Sequence, residues 1–273
     1  MKRKLLYVSS FLTIVVLAFI YSCQKDSGAK AVDNSPFNDN SVEKNAIVAT
    51  TTFEGISDFA QAGFISTNLK AGNITLGSCP TVSVNYMTIP YSITLNWGTE
   101  CNGSSGKIDI SMNGLMTTKE NVATFKIENF VVDGKKVSGT TKITYSGPNS
   151  GNNWPRYDFV SEGKIVYADN SFITFRYDGV RLLAEGASTA DVKDDLWRTE
   201  IHSANGVNKD GTTWTAKSTK VMIKKGDCKW YNSGTYEITP SKGDKITIDF
   251  GDGNCDSKAT MTVGSKVTEI TLP

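Results

Sequence analysis

The feature that most constrains this chain is a period-two alternation of apolar and polar residues that keeps recurring after residue 80. It is present in Val82/Val84/Tyr86, in Tyr91/Ile93/Leu95/Trp97 and in Ile108/Ile110/Met112. It returns in Val137/Thr141/Ile143/Tyr145 around Gly139, Ile173/Phe175/Tyr177, Ile246/Ile248/Phe250 and Ala259/Met261/Val263. A period of two puts alternate side chains on opposite faces of a strand, here an apolar face and one rich in Thr, Ser, Lys and Asn. Asp133-Gly134, Asp169-Asn170 and Asp210-Gly211 separate such runs, and these dipeptides supply the positive φ of tight hairpin turns. Strands joined by short turns are antiparallel neighbours, so the expected fold is all-β, a meander or sandwich. No segment after residue 75 sustains a 3.6-residue period. At most one short helix is expected, near the start: Phe53, Ile56, Phe59, Ala60 and Phe64 lie at near-helical spacing within 51–71. Ser57 is its candidate cap, and Gly55 and Gly63 weaken it.

Two stretches repeat one another. Cys79 precedes a strand, then Ile93-Thr94-Leu95-Asn96-Trp97-Gly98, Cys101 and a further strand to Gly114. Cys228 precedes a strand, then Ile246-Thr247-Ile248-Asp249-Phe250-Gly251, Cys255 and a further strand to Gly264. The sheet is therefore read as built partly from a duplicated, disulfide-closed three-strand unit, near 79–114 and 228–264. Four cysteines allow three connectivities, and the repeat selects Cys79–Cys101 and Cys228–Cys255. A four-thiolate zinc site is the competing arrangement, but the chain has no CxxC pair.

The amino terminus is an address. Lys2, Arg3 and Lys4 precede an apolar stretch from Leu5 to Ile20, the layout of a secretory signal peptide over 1–22. Ile20-Tyr21-Ser22-Cys23 resembles a bacterial lipobox, with Tyr21 bulkier than is usual at its position. That resemblance implies cleavage before Cys23 and acylation of its thiol, palmitate included, so that the partner is a membrane reached through a lipid anchor. Residues 23–50 then read as a polar, flexible tether, and 51–273 as the all-β domain. The run Gln24-Lys25-Asp26-Ser27, with the "ITxDFGxxC" pattern at Ile93–Cys101 and the "ITxDFGDGxCD" pattern at Ile246–Asp256, resembles a group of uncharacterised, β-rich Bacteroidota envelope lipoproteins. The first pattern departs from the group at Asn96 and Trp97. The resemblance implies an outer-membrane lipoprotein, with periplasmic and surface faces both open, and implies no activity.

Charge and composition narrow the chemistry. The chain carries 29 Lys+Arg against 28 Asp+Glu, and loss of 1–22 would leave 26 against 28. Such near-neutrality excludes the basic footprint of a nucleic-acid binder. His202 is the one histidine in 273 residues. Ser203 is too close along the chain to serve it as a nucleophile, and no Gly-x-Ser-x-Gly elbow is present. Asp191, Asp194, Asp195 and Glu200 gather around Trp197, but two carboxylates make a glycosidase only at the correct separation. Asp252-x-Asn254-x-Asp256 mimics the opening of a calcium loop, yet Ser257 replaces its Gly and Val263 its bidentate Glu, so turn chemistry accounts for these letters as well.

One loop suggests a ligand. Gly147 to Tyr157 (GPNSGNNWPRY) sets Trp154 and Tyr157 among amides and hydroxyls, which suits stacking on a sugar, though Trp154 would serve equally as a plug between sheet and loop. The sequence is thus read as a lipid-anchored envelope protein without cofactor or catalysis. It would bind an envelope protein or play a structural part, with a glycan-binding module as the alternative and a hydrolase behind both.

Overall fold

The computed structural model describes residues 37–38, 40–65, 74–75, 80–101, 103–189 and 191–273. Helix α1 spans Val42–Ile65, and fourteen strands follow in the order of the chain. The first seven are β1 (Ile74–Thr75), β2 (Thr81–Asn85), β3 (Tyr91–Cys101), β4 (Ser104–Met112), β5 (Val122–Val132), β6 (Lys135–Pro148) and β7 (Pro155–Val166). The rest are β8 (Phe172–Glu185), β9 (Leu196–Val207), β10 (Thr213–Lys225), β11 (Ser233–Pro240), β12 (Ile246–Asp252), β13 (Lys258–Val263) and β14 (Lys266–Thr271). Every strand pairs antiparallel with its sequence neighbours, so the whole is one fourteen-stranded meander. The alternation expected from the sequence is therefore realised as a single sheet, not as a sandwich of two.

The helix corrects the sequence reading. It begins nine residues before the expected 51–71 and is 24 residues long. Its first turn is capped by Ser41, whose Oγ accepts the N–H of Lys44, and not by Ser57, which lies inside it. The last nine residues assigned to the 23–50 tether are thus helical, and all of Asn45–Thr50 is buried. Six consecutive buried residues cover every side of a helix, which one flat sheet cannot do. The sheet curls around α1, with apolar side chains inward and polar ones outward. Among the described residues no helix is long and apolar enough to cross a membrane.

Polar pairs fix the helix in its trough. Asn45 donates to Asn208 at 2.6 Å and accepts from the Tyr167 hydroxyl at 2.5 Å. The Tyr177 hydroxyl donates to the Thr50 carbonyl oxygen at 3.4 Å, and Tyr231 donates to the Glu54 carboxylate. Such pairing removes the penalty of burying polar groups, so a helix with no clean amphipathic stripe still sits in a core. Between Asn45 and Glu54 lies Phe53, wholly buried, with its ring edge-on to Phe175 at 4.7 Å.

The two repeated units share one register. Leu95 pairs with Val82 on one side and Ile108 on the other, while Ile248 pairs with Tyr236 and Met261. In both, the Asx side chain accepts the N–H two residues on: Asn96 from Gly98 at 2.9 Å and Asp249 from Gly251 at 3.0 Å. Gly98 and Gly251 both have positive φ, 66° and 95°, which is why glycine stands at this bend. Cys228–Cys255 is a disulfide, as the repeat requires. Cys101 is disulfide-bonded too, and its expected partner Cys79 lies outside the described residues.

Candidate functional site

One row of paired residues crosses the middle of the sheet. Gly139 pairs with Gly163, Gly163 with Phe175, Phe175 with Gly206, Gly206 with Trp214 and Trp214 with Pro240. Directly paired residues on adjacent strands point to the same side. Here that side is the helix side, because a Cβ on Gly163 would come within 2.5 Å of the Phe53 ring. A Cβ on Gly206 would come within 2.4 Å of the Trp214 indole. The rings occupy the space that side chains would fill, and they lie against bare backbone.

The residues flanking this row point outward and form two ladders. One runs Ser138, Lys164, Thr174, Val207 and Thr213 to Ser241; the other runs Thr140, Glu162, Arg176, Asn205 and Thr215 to Thr239. Between them lies an open groove of about 860 Å³ across β6–β11. Strands lie about 4.8 Å apart, so six of them give the groove a length of about 24 Å. Its charges are few. Arg176 and Glu162 form an ion pair at 3.0 Å, and the Lys164 ammonium sits 3.8 Å from the ring of Phe172, which is 46% exposed. Sequence reasoning missed this site because its parts come from six strands. The signal that could have found it is the glycine within each of β6, β7 and β9 (Gly139, Gly163 and Gly206), flanked by polar residues except at Val207.

The residues singled out in the sequence fare differently. Tyr157 is buried at 6% exposure between Tyr145 and Trp197, and burial pushes its hydroxyl up to about 12. It cannot be a sugar platform, because it lies on the helix side of β7. Trp154 is half-buried, with the Arg198 guanidinium 5.7 Å from its ring centre. The loop around it is held by its own amides, with Asn152 accepting the Trp154 N–H at 3.1 Å. Trp197, the aromatic expected beside the acids, is buried under Arg181, 4.5 Å from its ring.

Asp191 and Asp194 are hydrogen-bonded within their own loop. Asp191 caps a short 3-10 turn by accepting from Lys193 at 3.0 Å, Asp194 accepts from Thr189 at 2.8 Å, and Asp195 is buried. His202 is exposed on β9, and Ser203 beside it donates to Asp178 at 2.8 Å. Near His202, burial raises the carboxyl of Asp158, but hydrogen bonds from Arg156 and Ser146 outweigh this and hold it below its ordinary range. Of the calcium candidates, Asp252 accepts from the Asn254 amide at 3.1 Å and Asp256 caps the Lys258 N–H at 2.9 Å. Turn chemistry accounts for both. Among the described residues no group of three or more His, Cys, Asp or Glu could hold a metal. Cys23, the lipid-attachment candidate, lies outside the described residues.

A second cavity, of about 10 Å³, lies inside the sheet against Glu54, Thr141, Ser161, Tyr177 and Arg181. It has room for about one water and none for a ligand. A third cavity, of about 320 Å³, is lined by Val42, Glu43, Ile246, Met261 and Lys266, so the outward groove offers the most room of the three. No family model, curated protein or solved structure matches the chain.

Proposed function

We propose that this chain is a lipid-anchored protein of the bacterial outer membrane that acts by binding or as a structural component, without catalysis. Cys23 carries the anchor, and the curled sheet is the part presented to partners. The observation that carries the binding role is the groove across β6–β11, which is open along its length and lined by hydroxyls, an amide and three charged side chains. A groove of this kind offers many modest hydrogen bonds to a partner and no concentrated chemistry. The outward ladders of Thr, Ser, Lys and Glu also invert the pattern of a membrane-spanning barrel, whose outer band is apolar.

A glycan-binding role is the second reading, and the groove supports it better than the Trp154 loop does, since Tyr157 is buried. The anchoring claim is tested by labelling cells with an alkyne palmitate and analysing the amino-terminal peptide by mass spectrometry. The expected result is an acylated Cys23 in the membrane fraction, and a Cys23→Ala chain that is unlabelled and leaves that fraction. Equal labelling of both chains would contradict the anchor.

A further inference from the structure

We infer that the groove across β6–β11 binds an extended, uncharged polysaccharide chain lying perpendicular to the strands. This rests on the binding role proposed above and gives it a ligand class. The first ground is shape. The groove is long, open and crossed by six strands, so it takes a chain and not a compact molecule. The second is the chemistry of its walls. Seven of the twelve outward residues are Ser or Thr, and an eighth is Asn205. A hydroxyl both donates and accepts, and an amide offers both, so these walls complement a ligand whose own groups do both, as sugar hydroxyls do.

The alternatives fit less well. A nucleic acid or other polyanion needs several uncommitted cations. Here Arg176 is paired with Glu162, and Lys164 lies over Phe172. An extended peptide takes its affinity from main-chain hydrogen bonds at a sheet edge, whereas the groove lies mid-sheet, where the backbone is already paired on both sides. Val207, at 37% exposure, interrupts the polar walls, and Phe172, at 46%, lies beside them two residues before Thr174. The C–H faces of sugar rings would rest on these, and water between hydroxyls and ladders would complete the contact.

The test is affinity electrophoresis of the mature chain through gels containing dextran, mannan, xyloglucan or hydroxyethyl cellulose, with alginate and heparin as charged comparisons. Isothermal titration follows on any polymer that retards it. The expected result is retardation by at least one neutral polymer, unaffected by salt. Thr215→Trp, which fills the groove from an exposed position, should weaken it at least about tenfold, and Asn205→Ala less. Thermal melting of both variants within a few degrees of the parent shows that the fold is intact. If Thr215→Trp melts early, Thr174→Ala with Thr239→Ala carries the same test. Four results would overturn the inference: no neutral polymer retards the chain, only the anionic polymers do, the groove variants bind like the parent, or Trp154→Ala abolishes binding that the groove variants keep. Acylation of Cys23 is read on the same preparations, so failure of the anchor and failure of the groove are told apart.

Discussion

The two sides of the row from Gly139 to Pro240 differ although they share the same backbone. On the helix side every gap left by a missing side chain is filled: Phe53 lies on Gly139 and Gly163, and Trp214 on Gly206. On the outward side the same stretch is an open channel between two ladders of mostly small polar residues. Glycine permits both. Rings can approach the backbone only where Cβ is absent, and the sheet then lies close to its helix and leaves a hollow behind it. One sequence choice thus serves stability on one side and recognition on the other.

The largest expected effect falls on the inner side. Phe53→Ala should cost about 3–5 kcal/mol, because it empties a fully buried aromatic site over rigid backbone that cannot collapse into the gap. Chemical denaturation with urea measures it, and a loss below about 1 kcal/mol would mean that the ring does not hold the helix. Next is the Cys228–Cys255 bridge, which spans 27 residues next to Tyr231, the partner of Glu54. Replacing both cysteines by Ser should cost about 3–4 kcal/mol through the freed unfolded chain. The outward groove should keep its ligand affinity in that variant at temperatures where it remains folded.

How far the sequence foretold this division depends on the strand. β3, β12 and β13 alternate cleanly and were legible, as were the turns at Asp133-Gly134 and Asp210-Gly211, where φ is positive. β5, β9 and β10 were hidden by bulges. In β5 the inward residues run Phe125, Ile127, then Phe130, with Asn129 at a φ of 53° shifting the phase. In β9 the phase changes between Ile201 and Ala204, and in β10 two register shifts, between Ser218 and Lys220 and between Lys220 and Ile223, leave no buried residue between Ala216 and Met222. The start of α1 was misread as tether because Glu43, Asn45 and Thr50 look solvated, whereas all three are buried and hydrogen-bonded. The groove was illegible for a different reason. No stretch of chain contributes more than three consecutive residues to it, so no local motif could show it.

A smaller effect sharpens the comparison through pH. Asp158 lies on the outward side of β7, and its carboxyl is held below the ordinary range despite burial, by Arg156 and Ser146. A carboxyl depressed in the folded state contributes stability that is full above its unfolded value near 4 and is lost as pH falls through its lower folded value. Stability measured by urea titration between about pH 4 and pH 2 should therefore fall less steeply in Asp158→Asn than in the parent. An equal slope would show that the outward ion pair contributes nothing to acid stability.

The division itself is tested most directly by two neighbouring residues on β7, Glu162 facing outward and Gly163 facing the helix. Differential scanning calorimetry of Gly163→Ala and Glu162→Ala, side by side, compares the two faces at one point of the backbone. The added methyl group of Gly163→Ala must displace Phe53 and the Ser138 carbonyl oxygen, from which a Cβ would stand 2.5 and 2.7 Å away. Overpacking of this kind costs about 1–3 kcal/mol, which lowers the melting temperature by about 2–12 °C in a chain of this size. Glu162→Ala removes only an exposed ion pair and should change stability by no more than about 0.5 kcal/mol. Equal losses in the two variants, or a Gly163→Ala that melts with the parent, would contradict the account.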